Sequence, residues 1–217
     1  MQERLSLNRA AFDAVRQGYR PGMTEKDIKN IICEAWAKGS DRDIEFSGDV
    51  IAGVRTAAIE GDATDYVLQE GDALLLDLQP GWDHFWCDTT RTFFVGKASD
   101  EQRRVFGAIT HTISAIETIL RPGTRACEIY RKMQETLAVY GFSCPHHAGH
   151  ATGHEKVAFP TFVEECDAPL EKGMYIALEP GVYLEDFGIR LENNYLITEN
   201  GFEKLFDYTL DINNFII

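Results

Sequence analysis

The chain has 217 residues, 44% of them hydrophobic and 11% aromatic, and a formal net charge of −14. Its length and apolar content suit one core-forming domain of ordinary globular composition, and the acidic balance argues against nucleic acid or an anionic membrane as a main partner. Five widely spaced cysteines without a CxxC pair, an N-terminus lacking a signal-type apolar core and the absence of a membrane-length apolar run together predict a soluble protein of a reducing, cytoplasmic compartment.

In chain order, Leu5, Ala11, Phe12 and Val15 recur at helical spacing over residues 3–18, and Pro21-Gly22 stops that helix. Thr24 followed by Asp27 reads as a capping box for a second helix to about Lys38. Residues 44–56 and 72–96 are rich in β-branched and aromatic side chains and read as strands, with turns at Gly61-Asp62 and Pro80-Gly81. Ser99 caps a long helix ending near Leu120, and another helix follows Pro122-Gly123 to about Tyr140. From Gly173 onward, MYIALEP, GIRLENNYLIT and FEKL read as antiparallel strands, with Asn200-Gly201 as a hairpin turn. An internal echo links RPGMTEKDI at Arg20 with RPGTRACEI at Arg121. Either two helix joints are alike by chance, or the single domain, 1–217, consists of duplicated α+β halves of about 1–98 and 99–217 with a ligand-binding cleft between them.

The chemistry resides in acids that break the apolar pattern. Asp77 interrupts a run of leucines, Asp88 follows eleven residues later across a hairpin, Glu179 ends the strand YIAL, and Glu192 sits inside GIRLENNYLIT. A carboxylate in such a place is strongly penalised unless it is paired or metal-bound. Taken alone, Asp88 could pair with Arg91 and Asp77 could cap a strand end. Four such acids carry a charge that two divalent cations would cancel, so a two-metal site accounts for all of them. Four of the six histidines, His146, His147, His150 and His154, fall in HHAGHATGHE. Gly149 and Gly153 argue against a helical HExxH site there, and an oxygen-rich site for Mn²⁺, Co²⁺, Fe²⁺ or Zn²⁺ commonly takes one or two imidazoles.

DLQPGWDHFWCDTTRTF, HHAGH, LEPGVY and IRLEN, in that order, resemble the metallopeptidases of the pita-bread fold, which include methionine aminopeptidase, aminopeptidase P, prolidase and creatinase. HHAGH, DTTRTF and IRLEN lean toward the proline-directed branch. That branch usually carries an additional N-terminal domain, which is expected to be absent here, since the length is nearer methionine aminopeptidase. The resemblance implies an α+β fold with a curved antiparallel sheet, a homodimer, a small peptide or amide substrate, and two divalent metal ions. It implies that Asp77 chelates one ion, that His150 and Glu179 bind mainly the other, and that Asp88 and Glu192 touch both. A water or hydroxide between the ions would be the nucleophile, and Glu179 would take its proton and deliver it to the leaving nitrogen. His146 matches a histidine that contacts substrate, and Arg190 a basic residue near the last glutamate. His147 and His154 match no assigned role.

Two departures stand out. The family's upstream histidine, seventeen residues before Asp77, is here Glu60, and the histidine seven residues after His150 is here Val157. Such imidazoles hold or polarise the substrate amide, and one donor of that kind can account for about 10²–10³ in rate. His154 is the nearest candidate stand-in. The sequence therefore supports three readings: a divergent Xaa-Pro peptidase; a two-metal hydrolase of another C–N bond, with Glu60 holding a cationic group; or a metal-binding homologue without turnover.

Overall fold

The computed structural model describes residues 1–206, 208 and 210–217. Helices α1 (Gln2–Gly18) and α2 (Glu25–Gly39) lead into strand β1 (Gly48–Ala52). Both predicted helix starts that carry a cap are realised: Thr24 and Asp27 form a reciprocal capping box, and Ser99 does the same with Gln102 at the start of α3 (Asp100–Glu117). Helix α4 (Ala126–Val139) completes the helical set. Among the described residues no helix is long and apolar enough to cross a membrane.

The strand reading needs subdivision. The stretch read as one strand over 44–56 pairs only from Gly48 to Ala52 and then turns into a 3-10 helix, Gly53–Ala58. Gly53 has φ +59, and a Cβ there would meet the Tyr66 hydroxyl at 2.7 Å, so the turn depends on a glycine that sequence periodicity does not single out. The stretch 72–96 becomes β2 (Ala73–Leu78), the short hairpin β3 (Gly81–Trp82) and β4 (Phe85–Trp86), and β5 (Thr89–Phe94). Strand β2 pairs with β1 on one side and β5 on the other, giving a three-stranded antiparallel sheet.

The second sheet is formed by β12 (Phe202–Lys204), β11 (Asn193–Ile197), β8 (Tyr175–Leu178), β6 (Gly149–Thr152) and β7 (Ala158–Thr161), in that spatial order and antiparallel throughout. A small ribbon of β9 (Gly181–Tyr183) and β10 (Gly188–Arg190) intervenes in sequence between β8 and β11. The buried apolar residues form one core cluster, in which Phe12, Phe93, Phe106 and Phe215 pack with tilted rings from both ends of the chain. Strand β2 is buried along its whole length, so Asp77 is fixed in a wall of leucines.

The two sheets meet along DTTRT and RLENN without a shared ladder, joined by a backbone bond and a set of side-chain bonds. Glu192 N–H donates to Thr90 O and Asn194 Nδ2 to Asp88 O. Thr92 Oγ1 bonds Arg190 O, and the fully buried Arg91 donates to the carbonyls of Thr90 and Glu192 and to Asn193 Oδ1. Glu192 consequently lies between β10 and β11 and not inside a strand, because the chain there leaves its pairing with β9 before joining β8.

Candidate metal centre

The fold brings four of the predicted acids and one histidine to a single cavity region of about 470 Å³. Asp77 projects from β2, Asp88 precedes β5 by one residue, Glu179 follows β8, and His150 lies on β6. Each of these four lines the cavity, and Glu192 is buried beside it. The donor atoms of Asp88, His150 and Glu192 all lie within 4.8 Å of one another. His150 Nε2 is 3.6 Å from Asp88 Oδ2 and 3.3 Å from Glu179 Oε1. Its other nitrogen, Nδ1, bonds the carbonyl of Ala151 at 2.8 Å, which fixes the ring and leaves Nε2 facing the acids.

The electrostatics follow from this crowding. Burial, then the charge of Asp77, raises Asp88 well above the usual carboxylate range, and burial with the charges of Asp88, Glu179 and Asp77 does the same to Glu192. Burial alone would lower His150, but hydrogen bonding and charge from Asp88 and Glu179 outweigh it and lift the imidazole to about 11. Burial likewise opposes ionisation of Glu179, yet His150, His147 and Arg190 pull it down to about 2. Asp77 Oδ1, Asp88 Oδ1 and Glu192 Oε1 are buried without any hydrogen-bond partner. Orphaned buried carboxylate oxygens are costly, and Asp88 and Glu192 beside the His150 imidazole form the mixed oxygen–nitrogen donor set that a divalent transition ion takes. The residues present therefore fit divalent cations.

Arg190 is the organising cation. It is 3% exposed, donates to Asp77 Oδ2 at 2.7 Å, and reaches the Tyr183 hydroxyl at 2.8 Å and Ile59 O at 3.0 Å. Its bond to Ile59 holds a β-branched residue at φ +75, next to Glu60 on the cavity wall. Tyr183 in turn lies 2.9 Å from His146 Nε2, while His146 Nδ1 bonds the carbonyl of His147 at 2.8 Å. Both nitrogens of His146 are thus engaged by the protein, and the residue lines the cavity where the sequence expects a substrate contact. Arg190, likewise expected near substrate, lines the same cavity and clamps Asp77.

His154 does not reach the cavity. A bulge between His150 and Ala151 and Gly153 at φ +127 redirect the chain, and the exposed His154 ring packs edge-on against Phe85 at 5.3 Å. It therefore does not replace the imidazole absent at Val157, which stands on the cavity wall and is 50% exposed. Glu60 also lines the cavity. Three residues not assigned from the sequence join the site. Asp49 faces Asp77 across the β1–β2 ladder and is raised to about 6 by burial and by that neighbouring charge; it carries the same signal as Asp77, an acid inside an apolar strand. Gln79 donates to Asp88 Oδ2 at 3.1 Å. His147 lies 3.3 Å from Glu179.

A family model described as metallopeptidase family M24 matches residues 1–199. The chain belongs to that family. Among its M24 relatives, an Xaa-Pro dipeptidase of Pyrococcus furiosus is 31% identical over 163 residues, 74% of this chain and 47% of that protein. The X-Pro aminopeptidase of Thermotoga maritima MSB8 superposes with a TM-score of 0.93 at 28% identity, covering 100% of this chain and 62% of the other. The prolidase of Pyrococcus furiosus superposes at 0.90 with 26% identity, covering 96% and 63%. The architecture is accordingly the pita-bread fold of these M24 enzymes. The chain spans about half the length of the curated relatives it matches.

Proposed function

We infer that the chain is a two-metal M24 peptidase acting on Xaa-Pro dipeptides or on the N-terminal residue of short peptides. The observation that carries this reading is the convergence of Asp88, His150 and Glu192, with three orphaned carboxylate oxygens, at and beside one cavity. Asp77, Asp88, His150, Glu179 and Glu192 would hold the two ions. When bound, the ions supply Lewis acidity toward the scissile carbonyl and a water of lowered pKa.

The protein's own groups do the rest. Glu179, kept ionised by His150, His147 and Arg190, accepts the proton of the attacking water and returns it to the leaving nitrogen. Arg190 and Tyr183 hold Asp77 and His146 in fixed rotamers, so the cavity is organised before substrate arrives. The matched staples of the two RPG joints, Thr24 bridged to Val67 and Arg125 bridged to Pro169, support taking 1–98 and 99–217 as related halves flanking this site.

Hydrolysis of an Xaa-Pro dipeptide and short-peptide panel after loading with Mn²⁺, Co²⁺ or Zn²⁺ tests the reading. Metal-dependent release of the N-terminal residue is expected, and no product across the panel would overturn it. One observation favours a second reading, hydrolysis of another C–N bond in a cationic substrate: Asp49 and Glu60 both line the cavity. Under that reading Glu60→Gln abolishes turnover while metal content stays the same; an active variant counts against it.

A further inference from the structure

We propose that His147 is a sixth protein donor to the metal centre, binding through Nδ1 beside Glu179 and His150 and making one half of the site nitrogen-rich. The inference rests on the two-metal reading and adds a ligand to it.

The backbone places this side chain. Gly149 has φ +147, and a Cβ there would meet the Ala177 carbonyl at 2.0 Å, so β6 can enter beside β8 only with glycine at that position. Directly before it, Glu179 N–H donates to Ala148 O at 3.0 Å, which locks the backbone next to His147 against that of Glu179. His147 Nδ1 then lies 3.3 Å from Glu179 Oε1, the same oxygen that lies 3.3 Å from His150 Nε2.

Two features make this a ligand geometry and not a simple ion pair. Nδ1 is buried and has no hydrogen-bond partner, although it stands in ion-pair range of Glu179. Both atoms therefore keep lone pairs that a cation between them could use. Moreover, donors bound side by side to one ion at about 2.0–2.2 Å stand about 2.9–3.5 Å apart, from tetrahedral to octahedral angles. Both separations at Glu179 Oε1 fall in that window. His146, which belongs to the same cluster of possible donors, does not compete, because both its nitrogens are bonded to the protein.

Charge agrees with the choice of residue type. Ionised Asp77, Asp88, Glu179 and Glu192 would neutralise two divalent ions, and an imidazole would add a donor without adding charge. A pair of imidazoles also shifts preference from Mn²⁺ toward Co²⁺ and Zn²⁺.

The test compares wild-type protein with His147→Phe, which keeps a ring against His146 and His150 but offers no nitrogen. Chelator-stripped samples are titrated with Co²⁺ while the visible absorption is recorded, and with Zn²⁺ and Mn²⁺ by calorimetry. The wild type is expected to bind two ions. In His147→Phe one site should weaken by ~10-fold or more for Co²⁺ and Zn²⁺, by less for Mn²⁺, and the Co²⁺ spectrum should shift. If that variant does not fold, His147→Ala with added free imidazole, which should restore the wild-type spectrum, takes its place. Two-site binding with unchanged affinities and spectrum in the variant overturns the inference while leaving the peptidase reading intact. A wild type that binds two ions but cleaves no peptide overturns only the peptidase reading, and one that binds no ion overturns both.

Discussion

Replacing Arg190 by Met should destabilise the metal-free protein far more than the metal-loaded one. The guanidinium is buried and supplies the Asp77 ion pair at 2.7 Å, with further bonds to Tyr183, Ile59 and Thr90. Removing one partner of a buried pair costs about 3–5 kcal/mol, because the carboxylate left behind has neither water nor a counter-charge. Asp77 would be worse placed than most, since its Oδ1 already lacks a partner and Asp49 faces it across the ladder. For a chain of this size each kcal/mol moves Tm by about 2–4 °C, so a loss near 4 kcal/mol corresponds to roughly 8–16 °C. Adding divalent ion gives Asp77 a new counter-charge, and the gap to wild type should shrink by half or more. Thermal unfolding of both proteins, in chelator and then with saturating Co²⁺ or Zn²⁺, measures this directly. A variant that melts within 2 °C of wild type in chelator, or whose deficit is the same with and without ion, would refute the electrostatic reasoning.

Metal uptake should release protons and strengthen with pH, since His150, raised to about 11, and Asp88 and Glu192, both raised, hold protons in the metal-free chain that a cation must displace. Calorimetry in two buffers of different ionisation enthalpy should report on the order of one to three protons released at pH 7, and zero net release would contradict it. Asp49, raised to about 6, favours the folded state in its protonated form; that contribution is complete below 3.8 and lost as pH rises through about 6. Asp49→Asn should therefore melt higher than wild type in chelator at pH 7.5 and converge with it at pH 4, an order that equal Tm values at pH 7.5 would disprove. Arg91→Met leaves Glu192 O and Asn193 Oδ1 without their buried donor, at a cost of about 2–4 kcal/mol. It should also weaken Co²⁺ binding through displacement of Glu192, and unchanged affinity in a folded variant would separate that clasp from the metal site.

Much of the candidate site was legible because carboxylates in apolar strands violate a local pattern. Asp77 among leucines and Glu179 at the end of YIAL are conspicuous for the same reason that they are expensive to bury without a partner. The capping boxes at Thr24 and Ser99 were equally readable, since a cap is satisfied within three residues of itself. Asp49 carried the same signal as Asp77 and was recognisable in principle.

What only the tertiary structure decided concerns partners separated along the chain. Arg190 and Asp77 are 113 residues apart, and nothing local distinguishes a clamp on a carboxylate from a substrate contact. His146, His147 and His154 are equivalent in residue type, yet one is held at both nitrogens, one presents a buried free nitrogen to Glu179 and one lies outside against Phe85. Those fates follow from the torsions at Gly149 and Gly153 and from the strands packed beside them. The sequence by itself determined which side chains break the apolar pattern and which cap the helices, because burial cost and capping act over a few residues. The path of the backbone determined which of their atoms face one another, because that depends on contacts made only once distant strands have packed.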